Sequence, residues 1–302
     1  MPELQADLVL EGGGVKGIGL VGAYSVLAER GYEVRRVAGT SAGAIVGALV
    51  AAGVPTGELV ELMREVDYRS FQDEGLLDRV GALGKGLSLL FEKGIYEGDH
   101  LRSWLDGLLG QAGTRTWGDL RVDDPGSSLP DDKAYRLVVM VSDVTRGRLV
   151  TLPWDYPSYG VDPDEQPVAD AVRASMSIPF FYEPARLGSS YLVDGGILSN
   201  FPIGVFDRTD GRRPRWPTLG IKLSGRPGPV HRPRFPVEGT LDFARALVGT
   251  MITFYDQMHI DDECTQKRTM FVDTTGVRAV DFDLSPAERD RLFGNGRAAA
   301  KK

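Results

Sequence analysis

Residues 34–55 read VRRVAGTSAGAIVGALVAAGVP. A short strand-like run from Val34 to Ala38 enters GTSAG, a helix of small and apolar residues follows, and Gly53 and Pro55 close it. The same plan occurs one unit upstream, in LVLEGGGVKGIG at 8–19. There the apolar run Leu8 to Leu10 leads into three glycines, and Ile18, Val21, Tyr24, Val26 and Leu27 then recur at helical spacing up to Gly31. Two successive strand-to-helix units predict an α/β fold with parallel strands.

The remaining text extends that plan. Residues 57–120 are mostly helical, with ELVELMREV, LSLLFEKG and HLRSWLDGLLG forming a cover over one side of the sheet. VDDPGSSLPDDKA at 122–134 has the composition of a solvated loop. Strands RLVVMVSD and RLVTLP follow, joined by the turn signal TRG, and then comes the helix VADAVRAS. TLGIKLSG at 218–225 reads as a buried strand, and LDFARALVGTMITFYDQMH reads as an amphipathic helix. SPAE at 285–288 offers an N-cap serine, a first-turn proline and a capping-box glutamate. There is no internal repeat, and the expectation is one domain over 1–302, with the C-terminal strand and helices at about 218–294.

Bulk properties narrow the functional classes. The chain has 302 residues, 42% of them hydrophobic and 25% charged, as expected of a globular protein. A formal net charge of −7 speaks against a general nucleic-acid binder, which needs a clustered cationic surface. The single cysteine, Cys264, excludes an internal disulfide and a multi-cysteine metal site. MPELQADLVL lacks the basic start of a secretory signal, and AIVGALVAAGV at 44–54 is far shorter than the ~20 residues that span a bilayer. A cytoplasmic location is the expectation.

GTSAG carries the chemistry. In G-x-S-x-G a sharp strand-to-helix turn holds the serine hydroxyl outward, and Gly39 and Gly43 lack the β-carbons that would clash there. Ser41 is thus a candidate nucleophile, with a helix-capping turn as the bland alternative. A serine hydroxyl needs a base and an oxyanion stabiliser. Exposed N–H groups of the 12–14 glycine run, brought to the same sheet edge by an adjacent parallel strand, suit the second role. The base is less obvious, because the three histidines, His100, His231 and His259, each read as surface or packing residues, with His231 and His259 left open as the base of a triad. Asp194, in YLVDGGILSNFP, is the better candidate: the carboxylate follows an apolar strand, and Gly195 and Gly196 leave room for close backbone approach.

The ordered set EGGGVKG, GTSAG and DGG resembles the patatin-like phospholipases, with a Gly-rich oxyanion loop, a nucleophile elbow and an Asp-Gly-Gly motif. ASMSIP at 174–179 and the N-x-P at 200–202 resemble further elements of that family. The resemblance spans about residues 8–204. It implies a three-layer α/β/α fold with a mostly parallel central sheet, and a Ser41–Asp194 dyad in which Asp194 takes the serine proton and Gly12, Gly13 and Gly14 donate to the oxyanion. Lys16 and Gly17 complete the glycine motif. Glu11 and Lys16 stand where the family frequently has aspartate and arginine, and lysine lacks the planar fork of arginine. The implied substrates are phospholipids, lysophospholipids or other fatty-acyl esters, and the chemistry needs no metal and no organic cofactor.

Two other readings compete. Gly12, Gly14 and Gly17 also satisfy G-x-G-x-x-G, but the next strand ends VAGTS without the acidic residue a ribose requires, and a nucleotide site leaves GTSAG and DGG unexplained. A lipid-binding module without activity would keep the fold. For the acyl chain, FFY at 180–182, LLFEKGIY, and Met251, Phe254 and Tyr255 are candidates, although such stripes are ordinarily core. The arginine-containing loops DRTDGRRPRWP and GRPGPVHRPRFP could bring peripheral contact with an anionic membrane surface, or be solvated turns, the reading their Gly and Pro content favours. Oligomeric state is not legible.

Overall fold

The computed structural model describes residues 4–71, 98–223, 239, 243, 246–251 and 262–302. LLFEKGIY, His231, His259, Phe254 and Tyr255 lie outside the described residues. The two opening units form as the sequence predicts: strand β1 (Leu4–Leu10), helix α1 (Ile18–Glu29), strand β2 (Tyr32–Gly39) and helix α2 (Ala42–Ala51). Helices α3 (Thr56–Glu65) and α4 (Asp99–Gln111) follow. Then come strands β3 (Leu137–Asp143) and β4 (Arg148–Leu152), helix α5 (Val168–Ser175), and strands β5 (Ala185–Leu187), β6 (Ser190–Asp194) and β7 (Thr218–Lys222). Helix α6 (Glu263–Lys267), strand β8 (Thr269–Phe271) and helix α7 (Pro286–Lys301) end the chain.

Among the described residues the sheet has eight strands in the order β5-β6-β3-β2-β1-β7-β8, with β4 paired to β3. The pairs β1·β2, β2·β3, β1·β7 and β7·β8 are parallel, whereas β3·β4, β3·β6 and β5·β6 are antiparallel. The sheet is thus mixed but mostly parallel, with helices flanking it. Strands buried on both faces read as continuous apolar runs, and β3, LVVMVSD, is buried throughout. Helix α2 has nine buried residues out of ten, which is why its sequence carries no polar face. Helix α4 instead buries one stripe, Leu101, Leu105 and Leu109, each contributing about 1.5–3 kcal/mol by leaving water.

The C-terminal helix locks onto the first. Ser285 caps α7, its side chain accepting from the Glu288 N–H while Glu288 reaches back, so SPAE acts as a capping box. Helix α7 packs on α1 where glycines allow backbone approach: Gly22 faces the Phe293 carbonyl and Gly296 faces that of Gly19, and a β-carbon at either position would clash. Between neighbouring strands, Arg36 of β2 makes a bidentate pair with Asp7 of β1, at 2.9 and 2.5 Å, both buried. The sheet places the site by register. Leu10 pairs with Gly39, so the turns leaving β1 and β2 emerge side by side.

Candidate active site

Ser41 occupies the turn between β2 and α2 with φ 52° and ψ −122°, a left-handed conformation that costs a non-glycine residue of order 1–3 kcal/mol. The flanking glycines make the turn possible. A β-carbon at Gly39 would run into the Gly43 carbonyl, and one at Gly43 into that of Leu10. The serine is buried, with 3% of its surface exposed. Its N–H donates to Ser175 Oγ at 2.8 Å, and its hydroxyl donates to the thioether sulfur of Met176 at 3.3 Å. Thr40 Oγ1 donates to the Ser199 carbonyl at 3.1 Å and ties the elbow to the segment after Asp194.

Asp194 arrives on β6, which runs antiparallel to β3 with Asp194 opposite Val141, one strand away from the elbow. It is 2% exposed. Burial pushes its carboxyl up to about 6, although the Gly196 N–H at 2.7 Å and the Ser41 hydroxyl both favour the ionised form. Desolvation outweighs both hydrogen bonds. Gly195 lies against the Met140 carbonyl, where a side chain would clash, and Gly196 lies between Asp194 and Asn200. The sequence-predicted base and nucleophile therefore act on one another across a separation of more than 150 residues, with the Ser41 hydroxyl itself bonded to Met176.

The glycine loop lies beside them. A β-carbon on Gly12 would come 3.1 Å from Ser41 Cβ, one on Gly13 would come 2.5 Å from Leu223 Cδ1, and one on Gly14, at φ +55°, would strike the Ala279 carbonyl. The three amides differ. Gly12 N–H donates to the Asn200 carbonyl at 3.2 Å, whereas the N–H groups of Gly13 and Gly14 meet no acceptor among the described residues. Gly17 packs against Met63 and Ala42. Lys16 is half-buried, and its Cε lies 3.3 Å from the place a Gly13 β-carbon would occupy, so its stem folds over the loop.

Three contacts of the site go beyond what the motifs containing them show in sequence. Asn200 Nδ2 donates to the Gly12 carbonyl at 3.2 Å, closing with the Gly12 amide a two-point link between the glycine loop and the Asp194 segment. Glu11 is buried and pairs with Lys222 of β7 while accepting the Leu223 N–H, which fixes the base of the loop across two strands. Ser175 and Met176 touch the nucleophile itself. ASMSIP stood out as a motif, but neither role can be read from its letters. His100 is exposed at the start of α4.

An α/β protein with a nucleophile elbow and a glycine loop at one sheet edge is the class this architecture defines. Residues 8–207 match the model of the patatin-like phospholipase family, and the chain belongs to that family. It is 38% identical over 295 residues to the uncharacterised protein YqhO of Bacillus subtilis, covering 96% of this chain and 95% of that one. Over 210 residues it is 22% identical to the probable lipid hydrolase 463L of invertebrate iridescent virus 6, covering 68% of this chain and 64% of the viral one. An uncharacterised NTE family protein of Mycobacterium tuberculosis, MT2641, is 28% identical over 206 residues, 68% of this chain but 28% of that protein. Among solved structures, VipD from Legionella pneumophila superimposes with a TM-score of 0.57 at 18% identity, covering 99% of this chain and 66% of VipD. ExoU of Pseudomonas aeruginosa, in its heterodimeric complex with SpcU, gives 0.53 at 20% identity, covering 99% and 51%. These structural likenesses concern the fold. Family membership also answers the nucleotide reading of the glycine run, because the loop belongs to the patatin-like core.

Proposed function

We propose that the chain is a lipid acyl hydrolase that cleaves fatty-acyl esters by covalent catalysis at Ser41. The observation that carries this reading is a fully buried carboxylate, Asp194, shifted by desolvation to about 6 and near enough to a strained elbow serine for its hydroxyl to favour the ionised form. Ser41 Oγ turns from the Met176 sulfur to Asp194, gives up its proton to that carboxylate and bonds to the ester carbonyl carbon. Negative charge moves to the carbonyl oxygen, where the N–H groups of Gly13 and Gly14 receive it; Gly12, whose amide is held by Asn200, supports the loop. Protonated Asp194 then donates to the departing alcohol. Water attacks the acyl-enzyme with Asp194 again taking the proton, and the acyl–Oγ bond breaks as Asp194 returns that proton to Ser41, releasing the fatty acid.

A weakly basic aspartate suffices because burial raises its proton affinity and the oxyanion donors lower the barrier alongside it. The half-buried apolar run Ile178 to Phe181, two residues after Met176, supports an acyl chain seated beside the nucleophile. Among the described residues no helix is long and apolar enough to cross a membrane. Phe243, Leu247 and Met251, four residues apart and exposed at 59, 53 and 42%, support peripheral contact with a lipid surface. We read the whole chain as one catalytic unit acting in the cytoplasm.

The experiment is hydrolysis of p-nitrophenyl fatty esters, followed by mass-spectrometric profiling of products from a mixed phospholipid, lysophospholipid and glyceride pool. The wild type is expected to release free fatty acid and Ser41→Ala none. Equal inertness of both proteins across acyl lengths would favour a binding module instead.

A further inference from the structure

Resting on that reading, we infer that Ser175 is the positioning residue of the nucleophile: its hydroxyl bridges the amide of Ser41 to the main chain of β3 and sets where Ser41 stands relative to Asp194. Ser175 is fully buried at the end of α5. Its Oγ accepts the Ser41 N–H at 2.8 Å and donates its own proton to the Met140 carbonyl at 2.7 Å, so both hydrogen-bonding directions of the hydroxyl are used. The Ser41 amide needs such a partner. It belongs to a residue at φ 52°, and the elbow turns the N–H out of the ladder that pairs β2 with β3 at Val37 to Gly39.

The Met140 carbonyl is a junction. It lies against Gly195, the residue after the base, close enough to forbid a side chain there. The two residues after Ser175 act on the same pair: Met176 offers its sulfur to the Ser41 hydroxyl at 3.3 Å, and the Ser177 carbonyl accepts the Asp194 N–H at 2.9 Å. Residues 175–177 thus hold the nucleophile's amide, the nucleophile's oxygen and the base's amide in one short bracket. Ser175 is the member that touches the strained backbone. Removing its hydroxyl deprives the buried Ser41 N–H and the Met140 carbonyl of their shared partner, and the elbow relaxes away from the position that faces Asp194.

Misplacing a reacting atom by about 1 Å can cost on the order of 100-fold in rate, because the near-attack geometry is lost while binding persists. Ser175→Ala should therefore lower kcat about 10- to 100-fold with KM changed less than about twofold, and slow phosphonylation of Ser41 by a fluorophosphonate probe in parallel. Ser175→Thr, which restores a hydroxyl, should recover most of kcat. A purely structural role would lower the melting temperature and leave kcat intact well below it. If Ser175→Ala does not fold, Ser175→Cys keeps the size with a weaker hydrogen-bonding group and should give an intermediate kcat at unchanged KM. Wild-type kcat in the folded Ala or Cys variant, beside an inert Ser41→Ala, overturns the positioning role and leaves the proposed function standing. Hydrolysis by Ser41→Ala at the wild-type rate overturns the proposed function itself.

Discussion

Asp194→Asn should abolish ester hydrolysis and, at neutral pH, make the protein more stable. The folded protein holds the Asp194 carboxyl at about 6, against 3.8 for an ordinary aspartate, because the group is fully buried. A folded-state pKa above the unfolded one means that folding favours the protonated form. The stability this group contributes is fully present below about 3.8 and is lost as pH rises through about 6. At about 1.4 kcal/mol per pH unit, ionised Asp194 costs the fold about 3 kcal/mol at pH 8 relative to a neutral carboxyl. Asparagine keeps the size and an oxygen to accept the Gly196 N–H, and its amide can donate to Ser41 Oγ, so the exchange removes the charge without leaving a hole. Urea unfolding of both proteins from pH 4 to 8 measures the difference. The variant should be more stable by about 3 kcal/mol at pH 8, and the gap should close by pH 4. A gap of the opposite sign, or one that does not change with pH, would refute the desolvation argument.

Two other outcomes follow from the same geometry. Because Asp194 must be ionised to accept the serine proton, kcat/KM should fall about tenfold per pH unit below about 6, and a pH–rate profile with no acid limb between 5 and 7 would contradict its role as base. Lys222→Met should destabilise the protein by about 3–5 kcal/mol in urea titration, since it strips the ammonium from the buried Glu11 carboxylate. The double variant Glu11→Gln, Lys222→Met should recover part of that loss, and strict additivity of the two changes would show that the pair is not coupled.

Much of the fold was legible because it is locally encoded. The turn GTSAG, the run EGGGVKG and the cap SPAE each dictate a backbone shape within a few residues, and the parallel pairing of β1 with β2 follows from two strand-to-helix units in succession. Desolvation of Asp194 was foreseeable from the apolar strand before it. What brings Asp194 to Ser41 was not: β6 inserts antiparallel beside β3, and no pattern in YLVD distinguishes that from a parallel strand. The partition of the glycine loop into a braced amide at Gly12 and, at Gly13 and Gly14, two that meet no acceptor among the described residues turns on Asn200, which is 188 residues from Gly12. The Glu11–Lys222 pair joins positions 211 apart. Such contacts are consequences of strand order, which periodicity and composition do not record.

The place of Lys16 is now definite in one respect. Its stem lies over Gly13, beside an amide with no acceptor among the described residues, rather than extending straight into solvent. An ammonium on that stem adds positive potential to the loop as a point charge, without the fork an arginine would supply.

The most direct measurement is intact-protein and peptide mass spectrometry after brief exposure to a fluorophosphonate or a slowly hydrolysed p-nitrophenyl ester. A single covalent adduct on Ser41, absent from Ser41→Ala and slowed in Asp194→Asn, is the predicted result. Hydrolysis without any adduct on Ser41, or with an adduct at another residue, would contradict the account.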